Sequence, residues 1–172
     1  MPAMGIALLA VFHFFLLRDV DAAPRPHTVS ARVVAVHDGD TLSVVIGRKK
    51  ERVRLIGIDA PELGQRPWGA IARKYLRELV TLSGNSVALE FDLEKRDKYG
   101  RLLAYVRTLD NKLINLEMVR NGYAVLFTFP PNVKYVERLR EGQRYAREGG
   151  LGIWGRDGLK EMPGDYRRKH QR

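Results

Sequence analysis

Apolar and polar positions alternate through residues 29–36 (VSARVVAV), a run rich in β-branched side chains that stops at the turn pair Asp38-Gly39. Residues 42–46 (LSVVI) resume the strand pattern, residues 47–50 (GRKK) form a second turn, and residues 52–58 carry a third strand. Together they predict a three-stranded antiparallel meander. From Pro67 the apolar period lengthens: Ala72, Tyr75 or Leu76, and Leu79 recur at helical spacing with Arg73, Lys74 and Arg77 between them, which predicts an amphipathic helix from Pro67 to Gly84. Strand character returns at residues 87–93 (VALEFDL) and 102–106 (LLAYV), on either side of a charged link. Residues 114–120 predict a short helix stopped by Asn121-Gly122. Residues 133–148 predict a longer one, with Val136, Leu139 and Ala146 on one side and Gly149-Gly150 at its end. Gly142 weakens that helix by up to ~1 kcal/mol relative to Ala. Five short strands, a helix after the third and further helices at the end describe an α+β chain built on a five-stranded OB-type barrel.

The two ends of the chain read differently. Residues 4–17 (MGIALLAVFHFFLL) are apolar but fall short of the ~20 residues that span a bilayer, and Val20 with Ala22 supplies a small-residue cleavage pattern. Residues 1–22 are therefore expected to be a signal peptide cleaved after Ala22, an uncleaved membrane anchor being the alternative; the product would be secreted or periplasmic. Residues 23–28 read as a linker and residues 29–155 as the folded domain. Residues 156–172 lose the apolar period and end in Arg167, Arg168, Lys169 and Arg172, the composition of a solvated basic tail carrying non-specific charge.

Composition narrows the partners. A length of 172 residues with 45% hydrophobic and 29% charged positions supports one domain with a real core. The net charge of +10 and pI near 10.1 gather polyanions, nucleic acid above all, with an anionic membrane surface as the rival. The absence of Cys excludes disulfides, thiolate catalysis and thiol-ligated zinc.

Candidate chemistry concentrates where the strands end. Asp-Gly between apolar strands is a hairpin signal and accounts for Asp38 and Gly39, but not for Asp40, which falls where the second strand begins. Asp59 and Glu62 end the third strand, on either side of Ala60-Pro61. Two carboxylates from adjacent strands are the minimum for a hard divalent cation, with a backbone carbonyl and waters completing the sphere; Ca²⁺ fits best, with Mg²⁺ or Mn²⁺ open on ligand type. Arg54 and Arg101 flank this acidic group, and a planar fork of donors suits a phosphodiester oxygen as charge builds on it. Glu62 is then free to take a proton from water.

These residues sit in ordered motifs: Val36-His37-Asp38-Gly39-Asp40-Thr41, then Arg54-Leu55-Ile56-Gly57-Ile58-Asp59-Ala60-Pro61-Glu62, then Asp97-Lys98-Tyr99-Gly100-Arg101-Leu102, then Asn121-Gly122-Tyr123-Ala124 and Gly152-Ile153-Trp154. Over residues 29–154 the chain resembles the staphylococcal (micrococcal) nuclease or thermonuclease family. The resemblance implies an OB-fold barrel with three helices and a Ca²⁺-dependent, endonucleolytic phosphodiesterase that acts on DNA and RNA and leaves 3′-phosphate ends. It also implies roles: Asp40, Asp59 and the Ala60 carbonyl as metal ligands, with Asp38 behind them; Arg54 and Arg101 as the phosphate pair; Glu62 as the general base. Lys98 and Tyr99 match positions that contact a terminal phosphate, and Phe127 and Phe129 stand where the family prototype places nucleotide-contacting tyrosines. Phe127 has a core alternative, and Tyr105, Tyr123 and Trp154 read as core. The chain departs from the prototype in having Ala60 for Thr and a short loop, residues 63–68, for a longer Lys-rich one.

The rival reading is a non-catalytic OB-type nucleic-acid-binding module, like the degenerate nuclease-like repeats of some Tudor-containing proteins. Those repeats lose the acids and arginines that this chain keeps at Asp40, Arg54, Asp59, Glu62 and Arg101. A monomer is expected.

Overall fold

A computed structural model describes residues 27–170. The signal peptide, its cleavage point and most of the linker lie outside the described residues. Strand β1 (Thr28–Val36) pairs antiparallel with β2 (Thr41–Ile46), and β2 with β3 (Lys49–Leu55). After a break comes the two-residue β4 (Ile58–Asp59), then helix α1 (Trp68–Leu82), β5 (Ser86–Glu90) and β6 (Leu102–Arg107). Parallel pairing of β3 with β6, and antiparallel pairing of β5 with both β6 and β1, closes the barrel in the order β1-β2-β3-β6-β5. The five-stranded OB-type barrel expected from the hydrophobic pattern is the fold observed.

Several boundaries moved for local reasons. Ile46 pairs directly with Lys49, so the second turn is the two residues Gly47-Arg48, with Gly47 in the left-handed region at φ +59°. The third strand, expected as one piece over residues 52–58, breaks at Gly57, where φ is +78°. Ile58 and Asp59 instead pair with a short strand β7 (Val125–Leu126). The helix expected over residues 133–148 begins later, as α3 (Val136–Glu148).

Alternation places Ala31, Val33, Leu42, Val44, Val53 and Leu55 inside the barrel. Helix α1 closes one end with Gly69, Ala72, Leu76 and Val80, spaced by three and four residues. Helix α2 (Ile114–Arg120) packs against α3, and Gly142 is where they meet: a Cβ there would lie 2.7 Å from Leu116 Cδ1. The cost of Gly142 to helix propensity is thus offset by a close helix approach.

Two buried polar groups fix the frame that carries the site. Asn115 donates to the Ile56 carbonyl and accepts from the Val106 amide, both at 2.8 Å, joining α2 to the end of β3 and to β6. Glu90 accepts from Arg107 at 3.0 Å, from the Tyr135 hydroxyl at 2.8 Å and from Lys134 at 2.7 Å. Burial alone would raise the Glu90 carboxyl, but the bonds from Lys134, Tyr135 and Arg107 outweigh it and hold the group below its usual range.

A fourth helix, α4 (Pro163–His170), lies within residues expected as a solvated tail. Its first turn holds Asp165 and its last turn Arg167, Arg168, Lys169 and His170, a charge order that complements the helix dipole. The segment leading into it is docked by side chains of the α1 entry: Trp68 donates to the Asp157 carbonyl at 3.2 Å and Gln65 to the Glu161 carbonyl at 2.8 Å. No described helix is long and apolar enough to cross a membrane.

Replacing Glu90 by Gln leaves the buried Arg107 charge without its anion, and Glu90→Gln should cost about 3 kcal/mol in urea unfolding at neutral pH. Because the folded carboxyl sits below its unfolded value, its stabilisation is present above the unfolded pKa and lost as pH falls through the folded one. The gap between parent and variant should therefore narrow in acid; a constant gap would remove Glu90 from the charge network.

Candidate active site

The Asp38-Gly39-Asp40 turn does more than reverse the chain. Asp38 accepts from the Asp40 amide at 2.9 Å, and the Asp40 carbonyl accepts from the Leu55 amide at 2.9 Å, so the turn is stitched to the end of β3. A Cβ at Gly39 would lie 2.6 Å from the Ala60 Cβ and 2.8 Å from the Ala72 Cβ. Only a glycine lets the turn press this closely against both the strand exit and α1. In that position Asp40 Oδ2 accepts from the Ala60 amide at 2.8 Å and Oδ1 accepts from the Thr41 hydroxyl at 3.1 Å. Burial pushes the Asp40 carboxyl up, against the opposing pull of Arg54.

Asp59 reaches the same point from the other side. Its backbone is paired with Val125 of β7, and the residue is 2% exposed. Arg54 joins the two acids: Nη2 lies 3.2 Å from Asp40 Oδ2 and 3.2 Å from Asp59 Oδ1, while Nη1 donates to the carbonyls of Leu55 and Ile58 at 2.8 Å each. The carbonyls that Arg54 holds lie on either side of the Gly57 break, so the same side chain braces the kink that delivers Asp59.

Glu62 stands at the entry to α1. Its amide donates to the Gln65 side chain at 2.9 Å, and Gln65 in turn holds the segment before α4. Gly69 is pressed against the Glu62 carbonyl, leaving no room for a Cβ. The second guanidinium of the site comes from α4. Arg167 Nη1 donates to Asp59 Oδ1 and to Glu62 Oε1, each at 2.9 Å, and Nη2 donates to Asp59 Oδ2 at 2.8 Å. Beside these groups an open cleft of about 420 Å³ runs between Asp38 and residues 62–64 on one side and Tyr166, Arg167 and His170 on the other.

Asp40, Arg54, Asp59 and Glu62 are thus brought together as the sequence expects. Arg101 is held apart from them: its Nε donates to Asp97 Oδ2 at 2.7 Å, and its guanidinium lies 5.6 Å from the centre of the Tyr99 ring. It immediately precedes β6, whose Leu103 is the register partner of Arg54. Burial works against the ionised Asp97, but the bonds from the Arg101 side chain and amide outweigh it and keep the carboxyl below its usual range. Lys98 and Tyr99 are exposed on the same loop, with Lys98 Nζ 5.1 Å from the Tyr99 ring centre. Phe127 and Phe129 are 46% and 67% exposed, so Phe127 is not core. The Phe127 amide donates to the Gly57 carbonyl at 3.0 Å, which sets it on the chain leaving β7 beside Asp59. Tyr105 is buried as expected; Tyr123 and Trp154 are half-buried.

Sequence reasoning missed Arg167 and Gln65. For Arg167 a signal was present: Pro163, an acid in the next two residues and a run of bases after it are the marks of a short helix, which the density of charge disguised as a tail. Gln65 carries no pattern at all.

The donor set can be tested against a divalent cation. All the converging acceptors are oxygens, which suits a hard ion, and Asp40 and Asp59 already share one positive group at equal distance. Among the described residues no three His, Cys, Asp or Glu side chains form a metal cluster. Asp40 and Asp59 are donors of the type a hard ion takes, and a carbonyl and water would have to complete its shell.

A family model described as staphylococcal nuclease homologue matches residues 52–156. Endonuclease YncB of Bacillus subtilis (strain 168) is 38% identical over 128 residues, covering 70% of this chain and 59% of its own length. A thermonuclease of Staphylococcus intermedius is 38% identical over 129 residues, covering 72% of this chain and 75% of its own. A second thermonuclease, from Staphylococcus hyicus, is 34% identical over 128 residues, with 72% and 74% covered. The Bacillus endonuclease thus extends well beyond the shared part. A family match across more than half of the chain, on a barrel whose strand ends gather these acids and arginines, makes the chain a member of the staphylococcal nuclease family.

Proposed function

We propose that the protein is a Ca²⁺-dependent nuclease that hydrolyses phosphodiester bonds of DNA and RNA endonucleolytically, leaving 3′-phosphate ends. The observation that carries this reading is the meeting of Asp40 and Asp59 on one cationic centre, with Glu62 held next to Asp59, in a chain whose relatives are named endonucleases and thermonucleases. Asp40, Asp59 and the Ala60 carbonyl would hold the ion, which would supply positive charge to offset that of the phosphate.

The chain's own groups do the rest. Glu62 takes a proton from a water whose oxygen bonds to phosphorus, the bond from phosphorus to O5′ breaks, and that oxygen leaves with a proton from solvent. Arg54 and Arg101 donate to the phosphate oxygens as their charge rises, a role suited to a planar fork of donors. Arg101 spends its Nε on Asp97 and keeps the rest of its fork for phosphate. Lys98 and Tyr99 bind the terminal phosphate, and the exposed rings of Phe127 and Phe129 stack on bases. The nuclease domain takes residues 29–155, and the leader in residues 1–22 directs it to be secreted.

Cleavage of denatured DNA should require Ca²⁺ and stop in chelator, as read by release of acid-soluble nucleotide; undiminished cleavage in chelator would overturn the metal assignment. The two arginines should separate. Arg101→Ala removes a half-buried side chain paired only within its own loop, so kcat should fall by at least about 100-fold with the urea midpoint near that of the parent. Arg54→Ala leaves buried Asp40 without its cation and Asp59 with only the partly exposed Arg167, and should lose stability as well, by about 3 kcal/mol. Equal midpoints for the two variants would show that Arg54 does not hold the acids together. Affinity for single-stranded DNA should fall linearly in log–log form with salt, because backbone charge dominates; a flat response would mean that the basic surface is not the docking face.

A further inference from the structure

The carboxylates assigned above to the metal and to the water are already engaged by a residue from another part of the chain. Arg167 clasps both oxygens of Asp59 and one oxygen of Glu62, and Arg54 shares Asp59 Oδ1 with it. A guanidinium holding both oxygens of a carboxylate occupies the lone pairs that a cation would use.

This contact is built rather than incidental to a loose end. Gln65 and Trp68 hold the segment ahead of α4 through the carbonyls of Glu161 and Asp157. Lys169 pairs with Glu161 at 2.5 Å, and the Tyr166 ring stacks on His170 with centres 4.0 Å apart. The Tyr166 hydroxyl sits directly against Gly64, in the short loop after Glu62. The short loop after Glu62 therefore lies in direct contact with α4. Arg167 itself is only partly covered, its side chain 33% exposed, whereas Asp59 beneath it is buried. The clasp is therefore the outer, removable partner and Arg54 the inner, fixed one.

We propose that Arg167 is an internal competitor of the divalent cation: α4 seats its guanidinium on Asp59 and Glu62, and Ca²⁺ enters as that helix withdraws. The inference rests on the metal reading of Asp40 and Asp59 and adds an autoinhibitory segment to it. A site that is open only part of the time shows an apparent affinity reduced by the open fraction.

The test is calcium titration calorimetry on the full chain, with Arg167→Ala beside Arg168→Ala, which removes the same charge from an exposed position paired with Asp165. Arg167→Ala should bind Ca²⁺ at least about tenfold more tightly than the parent, and Arg168→Ala less than about twofold. Equal tightening in both variants would reduce the effect to bulk charge and overturn the clasp, as would no tightening in Arg167→Ala. Failure of all three proteins to bind Ca²⁺ would overturn the metal reading itself and the clasp with it. Hydrogen exchange on the unmodified protein supplies the second readout: saturating Ca²⁺ should speed exchange of the amides in residues 163–170, and unchanged exchange there would overturn the withdrawal.

Discussion

Two buried carboxylates facing each other repel, and each has lost the water that would stabilise its charge. Everything at the strand ends of this barrel is arranged around the residue that resolves this conflict, Arg54. One of its terminal nitrogens answers Asp40 and Asp59 together, and the other ties the carbonyls on either side of the kink at Gly57. The kink in turn frees Asp59 from the barrel and hands it to β7. Without that cation Asp40 is buried unpaired and the bend at Gly57 loses its brace.

The surrounding structure can be ranked by how directly it serves that cluster. Gly39 allows the turn bearing Asp40 to lie flush on Ala60 and Ala72, and the Ala60 amide returns a bond to Asp40. Asn115 pins the strand that carries Arg54 to both β6 and α2 from a fully buried position. The Glu90 network lies further out and joins β5, β6 and the approach to α3, keeping the barrel closed where antiparallel β5 and β6 meet. The geometry of the acid cluster on this small barrel thus depends on polar groups that lie outside it.

Much of this was legible in the chain. The alternation at residues 29–36 and 42–46 and the helical spacing of Ala72 and Leu76 reflect burial on one face, which is a local signal and survives into the fold. The acids and Arg54 were legible because they fall at strand ends. Features that depend on contacts between distant segments left no trace. The pairing of Ile58 and Asp59 with β7, the buried bonds of Gln65 and the exposure of Phe127 are set by where other elements pack. The most instructive miss is α4: a run of bases is usually solvated, and here one of its members finds two carboxylates contributed from the far side of the sequence.

The parallel pairing of β3 with β6 carries a consequence for the order of events during synthesis. Residues 40–62 emerge from the ribosome first and contain the acids and Arg54, but β6, the strand that pairs with β3, follows only after α1 and β5 have been made. Non-local pairing of this kind must meet its chain-closure cost before any contact rewards it. The acids therefore spend part of the life of a growing chain without a finished barrel around them, and α4 arrives later still. A vectorially made chain gains its charge centre, its closing strand and its clasp in that sequence, so the acids are made before the segment that covers them.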